Sequence, residues 1–296
     1  MNINIFVPRN ERELLSFLER EGSRSVLVSG ATDLLPRIKR SQERPSLLVD
    51  VSRIQELRYI RKEKGLIRIG SLTTITDLSS SHVLDPKYEA FRSLEFIFGS
   101  PPVRNLATVG GNIAAASSSE DLIPILLVLE ADVTLKSLTS ERLVPLSEFI
   151  LGKRKTSRKD NEVVSEVSFK QIGAHSWCAF EKIGRRERLI IALVSLACIL
   201  EIDPESERIE EARIALNRIR GKVPERASKT EEVLKGKNLD AELLVYAAST
   251  LERELMLTSD FRASASYRVK VAKNFLATAL THCRHCIKNM GSQSID

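Results

Sequence analysis

The sequence predicts an α/β protein with more than one folding unit. The short apolar strand Val26–Val28 ends at Ser29-Gly30, and the next segment, Leu34–Arg40, has the composition of a brief helix. Further along, apolar runs of strand length alternate with segments of helical periodicity. With 296 residues, 43% of them hydrophobic, the chain is long enough to bury more than one core. We therefore expect two or three domains that mix helices and sheets.

Residues 1–55 form the first predicted lobe. A capping-box spacing, an apolar helical face and two apolar runs predict its elements. In order, they are a helix capped by Asn10 with Glu13, the strand Val26–Val28, the helix Leu34–Arg40 and the strand Leu47–Val51. The turn at Ser29-Gly30 therefore lies where a strand passes into a helix.

Residues 56–172 form a second predicted lobe. Its elements are, in order, the strand Ile67–Ile69, a short helix capped by Thr74, the helices Tyr88–Phe98 and Ile123–Leu129, and the strands Ala131–Leu138 and Val163–Phe169. A double proline, Arg104-Asn105 and the pair Gly110-Gly111 separate the two longer helices. A second glycine turn thus falls inside this lobe.

Residues 173–290 form a third predicted domain, followed by a tail at 291–296. Its elements are the strands Trp177–Ile183 and Leu189–Ile202, a helix opened by a capping box at Ser228–Glu231, and the helices Asp240–Glu254 and Tyr267–His282. The second strand is almost entirely apolar, so we expect both of its faces to be covered. A sheet with helices and no glycine fingerprint predicts a supporting or covering domain.

The net charge of +6 comes from 45 Lys and Arg residues against 39 Asp and Glu residues. The one dense basic cluster, Lys153–Lys159, lacks the interleaved aromatic residues that stack on bases. We therefore expect no nucleic-acid binding, and interpret the cluster as a solvated loop or as a contact for an acidic partner surface.

No segment has the pattern of a membrane span or a secretory signal. The longest apolar run, Leu189–Leu200, is shorter than the roughly 20 residues that cross a bilayer as a helix. The first residues lack both a basic leader and an apolar core. We expect a cytoplasmic protein without membrane contact.

Four cysteines are too few for a disulfide framework in a chain of this length. The segment His282–Cys286 combines a CxxC spacing with two histidines, which is half of a zinc site, but the sequence offers no second ligand pair. A structural zinc site needs four ligands. We therefore expect no metal, and interpret this segment as the frayed end of a helix whose thiols are reduced.

Two stretches rich in glycine and small polar residues carry the strongest functional signal. They are VLVSGATDL at residues 26–34 and ATVGGNIAAASSSED at residues 107–121. Successive backbone N–H groups in such turns form a concave anion site, so two of them can hold one diphosphate of a dinucleotide. Neither turn has the GxGxxG of a Rossmann site or the Lys-Ser/Thr of a P-loop. Two ordinary tight turns remain the alternative interpretation.

Six motifs, in this order, resemble those of the FAD-binding medium subunit of the molybdenum hydroxylases, the xanthine dehydrogenase and carbon monoxide dehydrogenase family. They are VLVSGATDL, GSPPVRNLATVGGNI, Asp121 followed by Pro124, GKRKT, FEKIGRR and DFRASASYR. The resemblance runs over nearly the whole chain. It implies an α/β (α+β) fold: a p-cresol-methylhydroxylase-type FAD-binding domain of two lobes, plus a smaller C-terminal α/β domain like that of the carbon monoxide dehydrogenase flavoprotein.

The resemblance also implies a set of FAD-binding residues. The two pyrophosphate loops are Leu27, Val28, Ser29, Gly30, Ala31, Thr32, Asp33 and Leu34, and Thr108, Val109, Gly110, Gly111 and Asn112. It places Asp121 near the ribose or adenine, Phe98 and Val164 in apolar contact with the cofactor, and Lys182 near the isoalloxazine. A cation there would stabilise the anionic reduced flavin. On their own, Asp121 would be interpreted as a helix cap and Lys182 as surface charge.

Two positions depart from the family pattern. Ala31 stands where the family usually has glycine, and a positive φ there would cost about 1 kcal/mol. Ile190 stands near the position of a frequent acid, which leaves the final electron acceptor open.

The resemblance implies one component of a larger oxidoreductase. Neither loop contains a histidine or cysteine, so the FAD is expected to be non-covalent. No cysteine group is suited to a [2Fe-2S] cluster, and no segment remains for a molybdenum-cofactor domain. We expect an iron-sulfur small subunit and a molybdopterin large subunit as partners, in a dimer of heterotrimers that reduces NAD or another acceptor. A stand-alone flavin reductase of the same fold and a cofactor-free scaffold are the alternatives.

Overall fold

The computed structural model describes residues 3–184, 191–217 and 224–292. The strands are β1 (Asn4–Phe6), β2 (Ser25–Val28), β3 (Leu47–Asp50), β4 (Ile60–Glu63), β5 (Leu66–Gly70), β6 (Asp132–Lys136), β7 (Glu141–Pro145), β8 (Ile150–Gly152), β9 (Lys155–Thr156), β10 (Val163–Lys170), β11 (Ser176–Ile183), β12 (Val194–Ile202), β13 (Ile209–Leu216) and β14 (Glu225–Arg226). The helices are α1 (Glu11–Glu21), α2 (Leu34–Lys39), α3 (Ile75–Ser79), α4 (Glu89–Ile97), α5 (Pro101–Arg104), α6 (Val109–Ala115), α7 (Leu122–Val128), α8 (Leu146–Phe149), α9 (Ser228–Leu234), α10 (Ala241–Glu254) and α11 (Ala265–Ser292). Among the described helices, none combines the length and the apolar character needed to span a bilayer.

The chain forms two compact units, each assembled from segments that are distant in sequence. The first contains the residues up to Val83, Gly99–Ala116 and Glu130–Lys170. The second contains Leu84–Phe98, Ser117–Leu129 and the chain from Gln171 onward. The mixed α/β class is confirmed, whereas the division into lobes at residues 55 and 172 stays a prediction.

The first unit contains a parallel sheet in the order β1-β3-β2 and an antiparallel sheet in the order β4-β5-β10-β6-β7. Helix α1 buries Leu14, Leu15 and Leu18 in a core that includes Val49 of β3. Its N-terminus is capped as predicted, because the Asn10 side chain accepts from the Glu13 N–H at 2.9 Å. The Glu13 carboxylate, however, accepts from the Arg9 N–H and not from that of Asn10, so the box is only half formed.

The second unit is built on an antiparallel sheet in the order β11-β12-β13-β14. Strand β12 is buried on both faces, as predicted from its apolar run. Leu196, Cys198 and Leu200 lie in a core with residues of α10 and α11, while α7 also packs against β12 and β13. Helices α4 and α11 both pack against the edge strand β11.

Three predictions about the second unit are wrong in detail. Strand β12 begins at Val194, because its pairing with β11 ends at the Ile183–Val194 register; residues 189 and 190 lie outside the described residues. Ser228 does not cap α9, since Ala227 holds the N-cap position and no side chain of that residue bonds there. Helix α11 continues to Ser292, so His282–Cys286 is an internal segment of it and not a frayed end.

Candidate functional site

The turn between β2 and α2 presents a row of backbone donors. Within the described residues, the N–H groups of Gly30, Ala31, Thr32 and Asp33 donate to no protein acceptor. Ala31 adopts a φ of 58°, which curls the backbone so that successive N–H groups can face a common point. This left-handed conformation costs an alanine about 1 kcal/mol relative to glycine. The geometry suits an anion held by main-chain hydrogen bonds.

The structure brings the first and second glycine loops together inside the first unit. The Ser29 hydroxyl is 2.9 Å from that of Thr108. A Cβ on Gly30 would overlap the carbonyl oxygen of Leu106, and one on Gly111 would lie 3.2 Å from Ser29 Oγ. Glycine is therefore required at Gly30 because two backbones approach closely there.

The second loop has no comparable row of free donors. Four of its N–H groups bond within the protein: Val109 to the Thr73 carbonyl, Gly110 to the Ser71 carbonyl, Gly111 to the Thr108 hydroxyl and Asn112 to the Thr108 carbonyl. That this loop binds the diphosphate stays a prediction, as does any contact of its side chains with a cofactor. The loop also places Thr108 against Ser29.

The only acid of the first loop, Asp33, is neutralised by arginines. Arg154 donates to both carboxylate oxygens, at 2.6 and 2.9 Å, and Arg37 donates at 3.2 Å. Burial raises the pKa of Asp33, but hydrogen bonds and positive charge from Arg154 and Arg37 outweigh burial and hold the pKa below its ordinary value. The first loop therefore presents no uncompensated negative charge to a bound anion.

Arg154 was missing from the predicted site residues, although it lies in the GKRKT motif that supports the family resemblance. It also donates to the Ala115 carbonyl through its side chain and to the Ala116 carbonyl through its N–H. Arg158, from the same basic cluster, donates to the carbonyl oxygen of Glu162 at 2.7 Å. Arg154 is nonetheless exposed, as predicted for a solvated loop, whereas Arg158 is half-buried.

In the second unit, Asp121 and Lys182 form a buried ion pair. Lys182 Nζ is 2.5 Å from Asp121 Oδ2 and also donates to the Ile97 carbonyl at 3.0 Å. The two side chains are only 7% and 4% exposed. Burial raises the pKa of Asp121, and the Lys182 ammonium opposes that rise. Asp121 precedes α7 without making a capping hydrogen bond, so the alternative role of helix cap is contradicted.

The surroundings of the second carboxylate oxygen of Asp121 show whether a cofactor would fit beside it. Asp121 Oδ1 is buried and accepts no hydrogen bond from the described residues, and a buried acceptor of this kind is costly without a donor. A hydroxyl of a cofactor would supply one. Because Asp121 and Lys182 are in direct contact, both would lie beside the same part of a bound FAD. Whether that part is the adenosine or the isoalloxazine end stays a prediction.

Two family models match successive parts of the chain, as the six motifs do. Residues 1–169 match the family model of the FAD binding domain in molybdopterin dehydrogenase. Residues 179–283 match the CO dehydrogenase flavoprotein C-terminal domain. The chain belongs to this flavoprotein family. The resemblance inferred from the six motifs, and the fold that it implied, are therefore confirmed.

Individual relatives of the flavoprotein span most of its length. The nicotinate dehydrogenase FAD-subunit of Eubacterium barkeri is 30% identical over 206 residues, covering 68% of this chain and 70% of the relative. The carbon monoxide dehydrogenase medium chain of Hydrogenophaga pseudoflava is 28% identical over 273 residues, covering 92% and 94%. A solved carbon monoxide dehydrogenase from that organism, which lacks the Mo-pyranopterin moiety, aligns with a TM-score of 0.88 at 29% identity, over 95% and 96% of the two chains.

The remaining predicted residues of the flavoprotein lie in or beside these elements. Leu27 and Val28 end strand β2, and Leu34 begins α2. Val164 is buried at a bulge in β10 of the first unit, and Phe98 follows α4 in the second, where its N–H bonds to Leu94. Their contacts with FAD stay predictions. Ile190 lies outside the described residues.

Proposed function

We propose that this chain is the FAD-carrying electron-transfer subunit of a heteromeric molybdenum hydroxylase, passing electrons from iron-sulfur clusters to NAD or another acceptor. The observation that carries the proposal is the row of four N–H groups from Gly30 to Asp33, which have no acceptor in the described part of the chain. Such a row binds a phosphate without a cationic side chain. The family match supports FAD as the ligand, because that family's domain is an FAD binding domain.

Bound FAD supplies a redox centre that the polypeptide alone lacks. The N–H groups of Gly30–Asp33 would hold the pyrophosphate, and Arg154 would remove the repulsion between it and Asp33. In the second unit, Asp121 Oδ1 would accept a hydrogen bond from a hydroxyl group. The Lys182 ammonium opposes the rise that burial gives the pKa of Asp121, and so favours the ionised carboxylate, which can only accept.

The proposed complex has three kinds of subunit. An iron-sulfur small subunit donates electrons to this chain, and a molybdopterin large subunit oxidises the organic substrate. We further propose a dimer of such heterotrimers in the cytoplasm. Relatives described as a dehydrogenase FAD-subunit and a dehydrogenase medium chain support this division of labour.

Two substitutions of Ala31 test whether the N–H groups of Gly30–Asp33 bind FAD. Ala31→Pro removes one N–H donor and cannot adopt the observed φ of 58°. Ala31→Gly keeps the donor and relieves the left-handed strain. We expect the proline variant to bind FAD at least about tenfold more weakly, the equivalent of one charge-assisted hydrogen bond. The glycine variant should bind as tightly as the wild type or more tightly.

The measurement is a titration of flavin-free protein with FAD, followed by flavin fluorescence. Far-UV circular dichroism and the thermal midpoint of each apo variant separate a lost contact from a lost fold. An Ala31→Pro variant that folds and binds FAD as tightly as the wild type would refute the proposed role of these N–H groups. A wild-type chain that binds no FAD would favour the scaffold alternative.

Purification of the tagged chain from its native host tests the complex. The proposal expects iron, molybdenum and flavin in one assembly, with the flavin reduced anaerobically by an organic substrate only when all subunits are present. A flavin-loaded chain that purifies alone and turns over NADPH with a small substrate would support the stand-alone reductase instead.

A further inference from the structure

Glu89, His282 and Cys286 form a cluster of metal-ligating side chains within the second unit. His282 and Cys286 are four residues apart on α11 and therefore lie on one face of the helix. Glu89 begins α4. His282 Nε2 is 2.7 Å from Glu89 Oε2 and 3.6 Å from Cys286 Sγ. One ligand atom from each residue lies within 4.8 Å of the others.

We propose that this cluster binds a divalent metal ion of the zinc type. Thiolate, imidazole and carboxylate are the ligands that zinc takes, whereas magnesium and calcium prefer oxygen alone. In a tetrahedral site with ordinary Zn–S and Zn–N bonds, the sulfur and nitrogen are about 3.6 Å apart. The observed Sγ–Nε2 distance is the same. The Glu89–His282 distance of 2.7 Å must open to about 3.4 Å for both atoms to bind one zinc ion.

Neighbouring residues orient the cluster as metal ligands are oriented. Trp177 Nε1 donates to Glu89 Oε2 at 2.6 Å and so orients the carboxylate, as outer hydrogen bonds do in metal sites. The side chains of Glu89 and His282 are 39% and 40% exposed within the chain, so an ion has access to them. Three protein ligands leave a fourth position for water.

The site differs from the one suggested by the CxxC spacing. Cys283 is fully buried in the core, and its thiol donates to the Trp177 carbonyl. His285 lies beside Asn289, 2.9 Å from its amide nitrogen. Burial of Cys283 thus removes it from the cluster, whereas the i, i+4 spacing pairs Cys286 with His282. A metal here would link α4 to α11 independently of FAD.

Cobalt is a suitable probe because it replaces zinc and reports thiolate ligation by charge-transfer absorption. The full-length chain, freed of metal by a chelator, is titrated with Co²⁺ and then with Zn²⁺, and difference spectra remove any flavin signal. We expect one equivalent of Co²⁺ with a thiolate band that Zn²⁺ abolishes. Cys286→Ser should lose the band, and Glu89→Gln should bind at least about tenfold more weakly.

His285→Gln is the matched control, since it removes a neighbouring imidazole of the same helix and should leave the titration unchanged. Trp177→Phe should weaken Co²⁺ binding about tenfold to hundredfold through loss of the outer hydrogen bond. Equal thermal midpoints of metal-free wild type and Cys286→Ser confirm that the variant folds. The proposal is overturned if the wild type gives no thiolate band, if the band survives in Cys286→Ser, or if only His285→Gln removes it.

Discussion

Replacing Lys182 with methionine leaves the buried Asp121 carboxylate without its cation. The substitution keeps the length and apolar stem of the side chain but removes the ammonium that lies 2.5 Å from Asp121 and 3.0 Å from the Ile97 carbonyl. Both side chains of the ion pair are at least nine-tenths buried. Water therefore cannot replace the lost partner without opening the surrounding core.

The expected cost follows from this burial. Removing one partner of a buried ion pair destabilises a protein by about 3–5 kcal/mol, because the remaining charge is left desolvated. That is a large part of the 5–15 kcal/mol that typically separates folded from unfolded states. Lys273→Met is the matched control: its ion pair with Glu252 is 34% and 51% exposed, so its loss should cost less than about 1 kcal/mol.

Urea denaturation followed by circular dichroism measures the stability lost in Lys182→Met and in Lys273→Met. The measurement is repeated across pH. Burial raises the pKa of Asp121 in the folded chain, and loss of Lys182 removes the charge that opposes this rise. A raised folded pKa means that the folded state binds the proton more tightly than the unfolded state. The deficit of Lys182→Met should therefore be full above the folded pKa and shrink as the pH falls through it.

A second substitution checks the cause. Asp121→Asn in the Lys182→Met background removes the stranded charge and should recover part of the lost stability. The reasoning is refuted if Lys182→Met costs no more than Lys273→Met, or if its deficit does not change with pH.

Three further predictions concern contacts elsewhere in the chain. Glu254→Gln should cost about 1 kcal/mol in urea denaturation, because its carboxylate accepts from the first N–H groups of α9 at 2.8 and 3.0 Å. Asp260→Asn should cost about 3 kcal/mol and lower the thermal midpoint, since the Arg268 side chain that it neutralises is 1% exposed. Arg154→Met should weaken FAD binding about tenfold in a fluorescence titration by exposing the charge of Asp33, and Asp33→Asn should restore it.

Several contacts explain why sequence reasoning fails at particular points. The cap of α9 comes from Glu254, which is more than twenty residues away, whereas the local Ser228 occupies a helical position. Strand β13 was not predicted, because Glu210 and Glu211 interrupt its apolar pattern. It forms a strand because it pairs with the buried β12 in register over most of its length. In each case, a partner distant in sequence overrides the local signal.

The sequence by itself determined the features that depend on neighbouring residues. Asn10 caps its helix, β12 is buried on both faces, and a strand passes into a helix at Ser29-Gly30. These follow from side chains within a few positions of the backbone that they affect. The order of six motifs was also sufficient to indicate the flavoprotein family.

Only the tertiary structure decided what each glycine loop does. The two loops have similar composition, yet the carbonyls of Ser71 and Thr73, just after β5, accept from Gly110 and Val109 of the second. Among the described residues, the N–H groups of Gly30–Asp33 have no protein acceptor. The structure likewise joined Asp121 to Lys182, and Cys286 to Glu89, across long stretches of chain. Whether a backbone donor is available depends on every acceptor that the fold brings to it, and that information is spread over the whole sequence.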